Sequence, residues 1–391
     1  MSFRLEPDGD GTRLDFFPAA NLHRIRRLLD SRRLSTEHTL YRPTRFTLSE
    51  DDIMRKWLTL PVLAIALGGM FTLVSAQEKK DAPKEKPKGA PRVAETDASK
   101  AGPDFAVQGE YEGEFGGTKM GAQVVARGSG NFYVRLLTGG LPGAGWDGKT
   151  KIEGKAVTED GKVVISGEGV AGTIADGAMT LKSGTLKRVE RKSPTLDLKP
   201  PGNAVILFGD PEDVSNWKDG RVAELADGKY LACTPGKNIL SNQAFKNFKI
   251  HLEFREPWMP NSNGQGRGNS GLYLQNRYEL QILDSFGLKG ENNECGGFYT
   301  QYAPSVNMCL PPLVWQTYDI EFTAAEFDGD GKRTKPARTT VVHNGVTVQD
   351  GVELKGPTPG GQKETDQPGP VHLQWHGDPL VYRNIWVVEM K

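Results

Sequence analysis

The chain has 391 residues, and its 49 lysine and arginine residues balance 49 aspartate and glutamate residues, so the formal net charge at pH 7 is zero. Proteins that bind nucleic acid through its phosphates carry an excess of positive charge, and this balance gives no electrostatic case for such a partner. The three cysteines form no Cys-x-x-Cys pair, which argues against a zinc ribbon or a thioredoxin-type site.

Residues 54–76 have the three-part layout of a secretory signal peptide. A short basic start precedes an apolar run over residues 58–74, and Ser75 and Ala76 supply the small residues of a cleavage site. The apolar run is short for a membrane span, and Pro61 interrupts it. We therefore expect cleavage after Ala76, no stable membrane span in the mature chain, and a secreted or periplasmic protein.

The segment before this signal differs in composition from the rest of the chain. Residues 1–53 contain nine arginines and no lysine, whereas residues 54–391 contain 13 arginines and 27 lysines. Such a switch indicates a wrongly chosen start codon, with translation beginning at Met54 and residues 1–53 a mis-assigned extension. A real N-terminal extension is the alternative.

Three segments of different character follow the signal peptide. Residues 77–103 are rich in Lys, Glu, Pro and Ala; they cannot bury enough apolar surface to fold and are predicted to be a disordered linker. Residues 104–192 contain short alternating runs separated by glycine-bearing turns, which is typical of a small all-β sandwich or barrel. We interpret this unit as an accessory domain, which the proline-bearing linker 193–203 joins to the rest of the chain.

The segment 269–284 predicts a β-hairpin with one polar face. Two alternating runs meet at a short turn, Gln275-Asn276-Arg277. Alternate residues of a strand point to the same side, so Glu279 and Gln281 project together while Leu280 and Ile282 point into a core. A carboxylate and an amide on such a strand are costly to bury unless they are paired or line a ligand cleft. An ordinary strand with one solvent face is the alternative.

A second polar face lies near the C-terminus, over residues 371–388, which we predict to be two strands around the turn Gly377-Asp378-Pro379. His372, Gln374 and His376 share one face of the first strand, and Arg383 lies just inside the returning strand. We expect these side chains and those of the hairpin to lie on one sheet. The glycine-rich segment 264–268 is interpreted as a loop that borders the same cleft.

From residue 204 to residue 391 the chain resembles the 3-keto-disaccharide hydrolase domain family. The resemblance implies an all-β fold, a concanavalin A-like jelly-roll sandwich related to glucanases, preceded here by the small all-β domain. The residues that carry it are 207–208, 215–217, 247–254, 269–273, 278–284, 315–318, 340–345, 376–377 and 382–385.

This resemblance implies chemistry that differs from that of an ordinary glycosidase. A keto group at C3 of a sugar acidifies the proton on C2, so that a base removes it, the C1 substituent leaves, and water adds back. His376 is the expected proton-transfer residue because imidazole titrates near neutral pH, and Glu279 is the rival base. Arg383 is the expected cation for the enolate. Asp284 either orients His376 or Arg383 or lies in a turn.

The implied function is an exported hydrolase that cleaves glycosidic bonds of 3-keto-glycosides or 3-keto-disaccharides, with such a sugar or an oligosaccharide as its partner. No cofactor is expected, and a divalent metal is left open. A glycan-binding module, an adhesion protein and a glucanase-type hydrolase are the alternatives. The last is weakened because Glu-x-Gln-x-x-Asp at 279–284 lacks the central carboxylate of the glucanase pattern. The side chains expected to bind sugar are Gln281, Gln374, Asn269, Tyr273 and Trp375.

Cys295 and Cys309 flank a loop that is expected to lie over the sandwich. In an oxidising compartment a disulfide between them would close this loop and contribute on the order of 3 kcal/mol in the chain-entropy model. Two free thiols are the alternative. Cys233 is then left over and is expected to be buried as a small hydrophobic residue.

The first prediction concerns processing. Because small residues end the apolar run, the mature chain secreted from a bacterial host should begin at or near Gln77 when its N-terminus is sequenced. Recovery of exported, folded protein that still begins with Met1 would contradict both the cleavage site and the proposed start at Met54.

Overall fold

The computed structural model describes residues 93–391, which belong to one compact unit. The predicted extension 1–53, the signal peptide 54–76 and residues 77–92 of the predicted linker lie outside the described residues. Within residues 93–391 no helix is long and apolar enough to cross a membrane. The described helices are α1 Pro103–Val107 and three 3₁₀ turns, Ala98–Lys100, Pro211–Asn216 and Gly264–Gly266.

The first β-module is a closed barrel of eight strands, each antiparallel to the next, with the last strand pairing back to the first. Two of its hairpins turn through Asp160-Gly161 and Asp176-Gly177, where both residues have positive φ, as a two-residue type I′ turn requires. Of the two architectures predicted for residues 104–192, a sandwich or a barrel, the structure has the barrel. Its strands are β1 Gly109–Phe115, β2 Thr118–Gly128, β3 Asn131–Thr138, β4 Lys151–Glu159, β5 Lys162–Gly167, β6 Val170–Ala175, β7 Ala178–Leu181 and β8 Gly184–Val189.

The second β-module is a sandwich of a five-stranded and an eight-stranded sheet, with a separate two-stranded ribbon. This confirms the predicted all-β jelly-roll class. Its strands are β9 Val205–Phe208, β10 Trp217–Lys218, β11 Gly220–Leu225, β12 Gly228–Cys233, β13 Ile239–Phe245, β14 Phe248–Arg255, β15 Asn269–Leu274, β16 Tyr278–Leu283, β17 Gln316–Thr323, β18 Glu326–Phe327, β19 Arg333–Lys335, β20 Arg338–His343, β21 Val346–Glu353, β22 Gly369–Leu373 and β23 Val381–Glu389.

The order of the five-stranded sheet is β10-β13-β22-β15-β16, and that of the larger sheet is β11-β12-β23-β14-β17-β20-β21, with β9 paired to β23. Apolar side chains from both sheets fill the space between them, because alternate residues of each strand point inward. The largest of these buried side chains include Phe248, Phe254, Tyr278, Phe298, Tyr318 and Tyr382.

The C-terminal strands differ from the prediction. β22 belongs to the five-stranded sheet and β23 to the eight-stranded sheet, so residues 374–380 form an arch between the sheets and not a hairpin within one. Gly377 has a φ of 96°, and the carboxylate of Asp378 accepts a hydrogen bond from the backbone N–H of Asn269 at 2.9 Å. Pro379 has no N–H for a hairpin ladder. Arg383 therefore lies on the sheet opposite to the two glutamines.

Both predicted linkers make specific contacts. Residues 93–103, which were expected to be disordered, pair with the sandwich through two backbone hydrogen bonds between Glu95 and Trp258, at 3.0 and 2.8 Å. The Trp258 ring also packs edge-on against Phe105. In the linker 193–203, the Thr195 hydroxyl donates a hydrogen bond of 2.6 Å to an Asp319 carboxylate oxygen on the eight-stranded sheet. The contacts of residues 93–103 depend on Trp258, a distant residue that the composition of this segment does not include.

Candidate active site

The hairpin of β15 and β16 has the predicted form. Gln275 and Asn276 occupy the turn with φ of 54° and 57°, and β15 pairs with β16 in antiparallel register. Leu280 and Ile282 are fully buried in the sandwich core. Because side chains alternate along a strand, Glu279 then lies on the opposite face of the sheet.

A cavity of about 260 Å³ opens on that face. It contains six of the nine side chains that the sequence assigned to catalysis or sugar binding, drawn from β15, β16 and the segment after β22. Three further segments close its edges. The lining residues are Gln265, Asn269, Tyr273, Glu279, Gln281, Tyr299, Pro359, Gly360, Gln374 and His376.

Glu279 is the one carboxyl group among the described residues that line this cavity, and its pKa is shifted strongly. Only 4% of the residue is exposed, and burial raises the pKa of its carboxyl to about 7, against a smaller lowering effect of a hydrogen bond with Tyr273. The carboxylate lies directly over Gly271 of the neighbouring strand, where a Cβ atom would be 2.4 Å from Glu279 Oε1. Glycine is thus required at this position for the carboxylate to reach its place.

Three amide side chains form a second group in the cavity. Asn269 Nδ2 donates to the backbone oxygen of Gln265 at 2.8 Å, and Gln281 Nε2 donates to Gln265 Oε1 at 3.2 Å. The acceptor oxygens Asn269 Oδ1 and Gln281 Oε1 are buried and have no hydrogen-bond partner within the described part of the chain. A buried acceptor without a donor is costly. Hydroxyl groups of a ligand would supply the missing donors.

Tyr273 connects the carboxylate to a second layer of residues behind it. Its ring stacks on His372 at 4.3 Å between centroids, and its hydroxyl donates to the backbone oxygen of Pro359 at 3.0 Å. Gln374 Nε2 donates to the same hydroxyl at 3.2 Å. Burial lowers the pKa of His372 to about 4, so its imidazole is neutral near pH 7. Tyr273 therefore stacks on an uncharged imidazole ring.

Four lining residues were not among the predicted site residues: Gln265, Tyr299, Pro359 and Gly360. The backbone N–H of Tyr299 donates a hydrogen bond of 3.1 Å to the carbonyl oxygen of Glu279. A single β-bridge between Phe298 and Leu280 adds this segment to the edge of the sheet and brings Tyr299 to the cavity. Gln265 comes from the glycine-rich loop that was predicted to border the cleft. His376 is exposed at the rim, whereas Glu279 lies deep in the cavity.

The structure corrects the assignment of Arg383. Its guanidinium pairs with Glu253 at 2.7 Å and with Asp197 at 2.8 Å, and it lies 4.4 Å from the centre of the Trp315 ring. All of these partners are outside the cavity. An arginine on β23 cannot contact a ligand held on the five-stranded sheet, because the two sheets face each other across the core.

Asp284 and Trp375 are corrected in the same way. The Asp284 carboxylate forms a buried ion pair of 2.6 Å with Arg267 Nε, which leaves it unable to orient His376. Trp375 packs against the sandwich core, and its backbone N–H donates to Asn238 Oδ1 at 2.9 Å. Neither residue lines the cavity.

The predicted disulfide is also corrected, since Cys233, Cys295 and Cys309 are all free and buried. The two sulfur atoms of the predicted pair lie within 4.8 Å of each other without a bond between them, and each has further neighbours. Cys295 Sγ lies 3.1 Å from the Tyr318 hydroxyl, and Cys309 Sγ contacts the backbone oxygen of Leu310 at 3.4 Å.

The fold and site together define an all-β protein with a jelly-roll sandwich that carries a polar cavity around one buried carboxylate. Residues 203–388 match the model of the 3-keto-alpha-glucoside-1,2-lyase-like domain family, and over these residues the chain belongs to that family. No curated protein matches the chain.

Several solved structures are similar to about half of the chain. A candidate glycosyl hydrolase from Parabacteroides distasonis ATCC 8503 is 35% identical, with 48% of this chain and 84% of that chain covered and a TM-score of 0.43. A second from the same organism is 21% identical, with 48% and 99% covered and a TM-score of 0.34. The carbohydrate-binding module CBM66 from Bacillus subtilis is 18% identical, with 44% and 93% covered and a TM-score of 0.25.

The second prediction concerns the Arg267–Asp284 pair. Arg267→Met leaves the Asp284 carboxylate, with its side chain 0% exposed, without its cation. We expect the free energy of unfolding in urea to fall by about 3–5 kcal/mol, as for other broken buried pairs. The double variant Arg267→Met/Asp284→Asn should recover part of this loss, because it leaves no buried charge. A loss below about 1 kcal/mol, as at a surface pair, would contradict a structural role.

Proposed function

We propose that this protein is a carbohydrate-active enzyme that breaks the glycosidic bond of 3-keto-glycosides by elimination, followed by addition of water. The observation that carries the proposal is Glu279: a carboxylate with a pKa of about 7, nearly buried in a cavity whose other polar side chains are amides, tyrosine hydroxyls and the His376 imidazole. A general base works best when its pKa lies near the working pH. The family of residues 203–388 adds the substrate class.

In the proposed reaction the Glu279 carboxylate removes the proton from C2 of the sugar. The electron pair of the broken C2–H bond forms the C1–C2 double bond, conjugated with the C3 ketone, while the C1–O bond breaks and its electron pair leaves with the aglycone oxygen. A proton donor at the rim, for which His376 is available, protonates that oxygen. Water then adds to C1 and the proton returns to C2, which restores the 3-keto sugar as a free hemiacetal.

Negative charge builds up on the C3 oxygen during proton removal, and hydrogen-bond donors aimed at it would lower the barrier. With Arg383 outside the cavity, the available donors are the hydroxyl of Tyr299 and the amide of Gln374. The side-chain oxygens of Asn269 and Gln281, which have no hydrogen-bond partner in the described part of the chain, would accept hydrogen bonds from the remaining sugar hydroxyls. In this arrangement the amides bind the sugar hydroxyls, and Glu279 is the base next to C2.

The glucanase alternative requires a second carboxylate near the first, because retaining hydrolysis needs a nucleophile and an acid about 5 Å apart. Among the described residues that line the cavity, Glu279 is the one carboxylate. Asp284, the other acid of the glucanase-like pattern, is paired with Arg267. We therefore favour elimination. From the signal at residues 54–76 we further propose that the enzyme acts outside the cytoplasm.

The third prediction concerns the reaction. The mature chain should release the aglycone from a 3-keto-glucoside and leave the corresponding glucoside intact, because only the ketone acidifies C2. Glu279→Gln should lower kcat by roughly 10²–10⁴-fold, the range for loss of a general base, while Glu321→Gln, an exposed glutamate on the other sheet, should leave it unchanged. Rapid hydrolysis of the plain glucoside would indicate glucanase chemistry. Sugar binding without turnover of either compound would indicate a lectin.

The fourth prediction uses the pKa of Glu279. It is about 7 in the folded protein against an ordinary value of 4.5, so the unfolded chain ionises first as pH rises. The wild-type protein should therefore lose stability relative to Glu279→Gln between about pH 4.5 and pH 7, by up to roughly 3 kcal/mol, and no more above that range. Urea denaturation of both proteins at several pH values measures this. A difference that is independent of pH would show that the carboxyl titrates normally.

A further inference from the structure

A buried cluster of three ligand-type side chains lies behind β16, on the side away from the cavity. Glu256, Cys295 and Cys309 each offer an oxygen or sulfur atom, and these atoms all lie within 4.8 Å of one another. The three residues are 0%, 0% and 1% exposed. The function proposed above uses none of them.

The carboxylate of this cluster is incompletely satisfied. Glu256 Oε2 accepts a hydrogen bond of 2.5 Å from Gln316 Nε2, but Oε1 is buried and has no partner in the described part of the chain. Burying a carboxylate oxygen without a donor or a cation costs several kcal/mol. A cation held between this oxygen and the two sulfur atoms would supply the missing partner.

One neighbouring amide, that of Gln316, is held in a fixed orientation toward the cluster. Gln316 Oε1 accepts from the backbone N–H of Leu310 at 2.9 Å and from Asn344 Nδ2 at 3.1 Å, which fixes its amide group. Its Nε2 then points at Glu256 and lies 3.8 Å from Cys309 Sγ. Such outer hydrogen bonds hold ligands in place and stabilise their charged forms in metal sites.

We propose that Glu256, Cys295 and Cys309 form a structural site for a zinc-class divalent cation. Two sulfur donors favour zinc over calcium or magnesium, which prefer oxygen ligands. Zinc–sulfur bonds of about 2.3 Å place two sulfurs roughly 3.8 Å apart in a tetrahedron, so the donors need only a small contraction. On binding, the two thiols and the carboxyl of Glu256 release their protons to solvent, and the sulfur and oxygen lone pairs bind the metal.

The site would connect the two loops that border the cavity. Cys295 and Cys309 bound the loop that carries Tyr299, and Glu256 precedes the segment that carries Gln265. A metal bound to all three side chains would hold both loops from behind β16, remote from the reacting sugar. This role is structural, so it is independent of whether Glu279 acts as a base.

The fifth prediction is that the full mature chain, purified after expression with added zinc, contains about one zinc per chain by elemental analysis after dialysis. Cys295→Ser and Cys309→Ser should each weaken zinc binding by about 100-fold or more, beyond the loss typical of an outer-shell change. Cys233→Ser is the matched control, since this third buried cysteine lies outside the cluster, and it should keep its zinc. Glu279→Gln should also keep it.

Cobalt tests the same site without any substitution. Wild-type protein refolded with Co²⁺ should show a thiolate-to-cobalt charge-transfer absorbance that zinc abolishes, and it should unfold at a higher temperature than protein refolded with a chelator. A zinc-free wild type without that absorbance, or equal loss of zinc in Cys233→Ser, would overturn the proposal. A Cys295–Cys309 disulfide in non-reduced peptides of the native protein would overturn it as well.

Discussion

The alternation of side chains along β16 fixes both the sandwich core and the floor of the cavity. Leu280 and Ile282 are fully buried between the two sheets, and their burial forces Glu279 and Gln281 onto the other face. A register shift of one residue would place the carboxylate in the core and the leucine in the cavity. The apolar packing of one face therefore specifies the polar face as strictly as any direct contact in the cavity does.

Burial is also what gives Glu279 its chemical character. The carboxylate sits against the bare backbone of Gly271, beneath Tyr273, with the bridge to Tyr299 along the strand edge. Water is largely excluded from it, so its ionised form is less stable than in solution and its pKa rises. The same packing that makes the residue a suitable base destabilises the fold once the carboxyl ionises. The fold tolerates this destabilising carboxylate because the sandwich core beneath it is large.

Local sequence patterns predicted the hairpin and the faces of its strands, and six of the nine predicted site residues line one cavity. The patterns failed where a position depends on a distant partner. Arg383 follows His376 closely in sequence, yet the arch at Gly377 places it on the opposite sheet. Asp284 ends the site strand, but its surroundings are set by Arg267 from another loop. The alternation of apolar and polar residues along a strand does not indicate which sheet the strand joins or which cation pairs with a carboxylate.

Two of the lining residues that the sequence did not predict illustrate the same dependence on distant contacts. Tyr299 and Gln265 lie in loops without a repeating pattern, and only tertiary contacts bring them to the cavity. The loop of Gln265 is held by Arg267, which donates to the carbonyl oxygen of Ala126 in the barrel at 3.3 Å while it pairs with Asp284. The barrel thus contacts the loop two residues from a cavity-lining side chain. The packing of the barrel on the sandwich therefore helps to hold the loop that forms one edge of the cavity, with Arg267 as the shared contact.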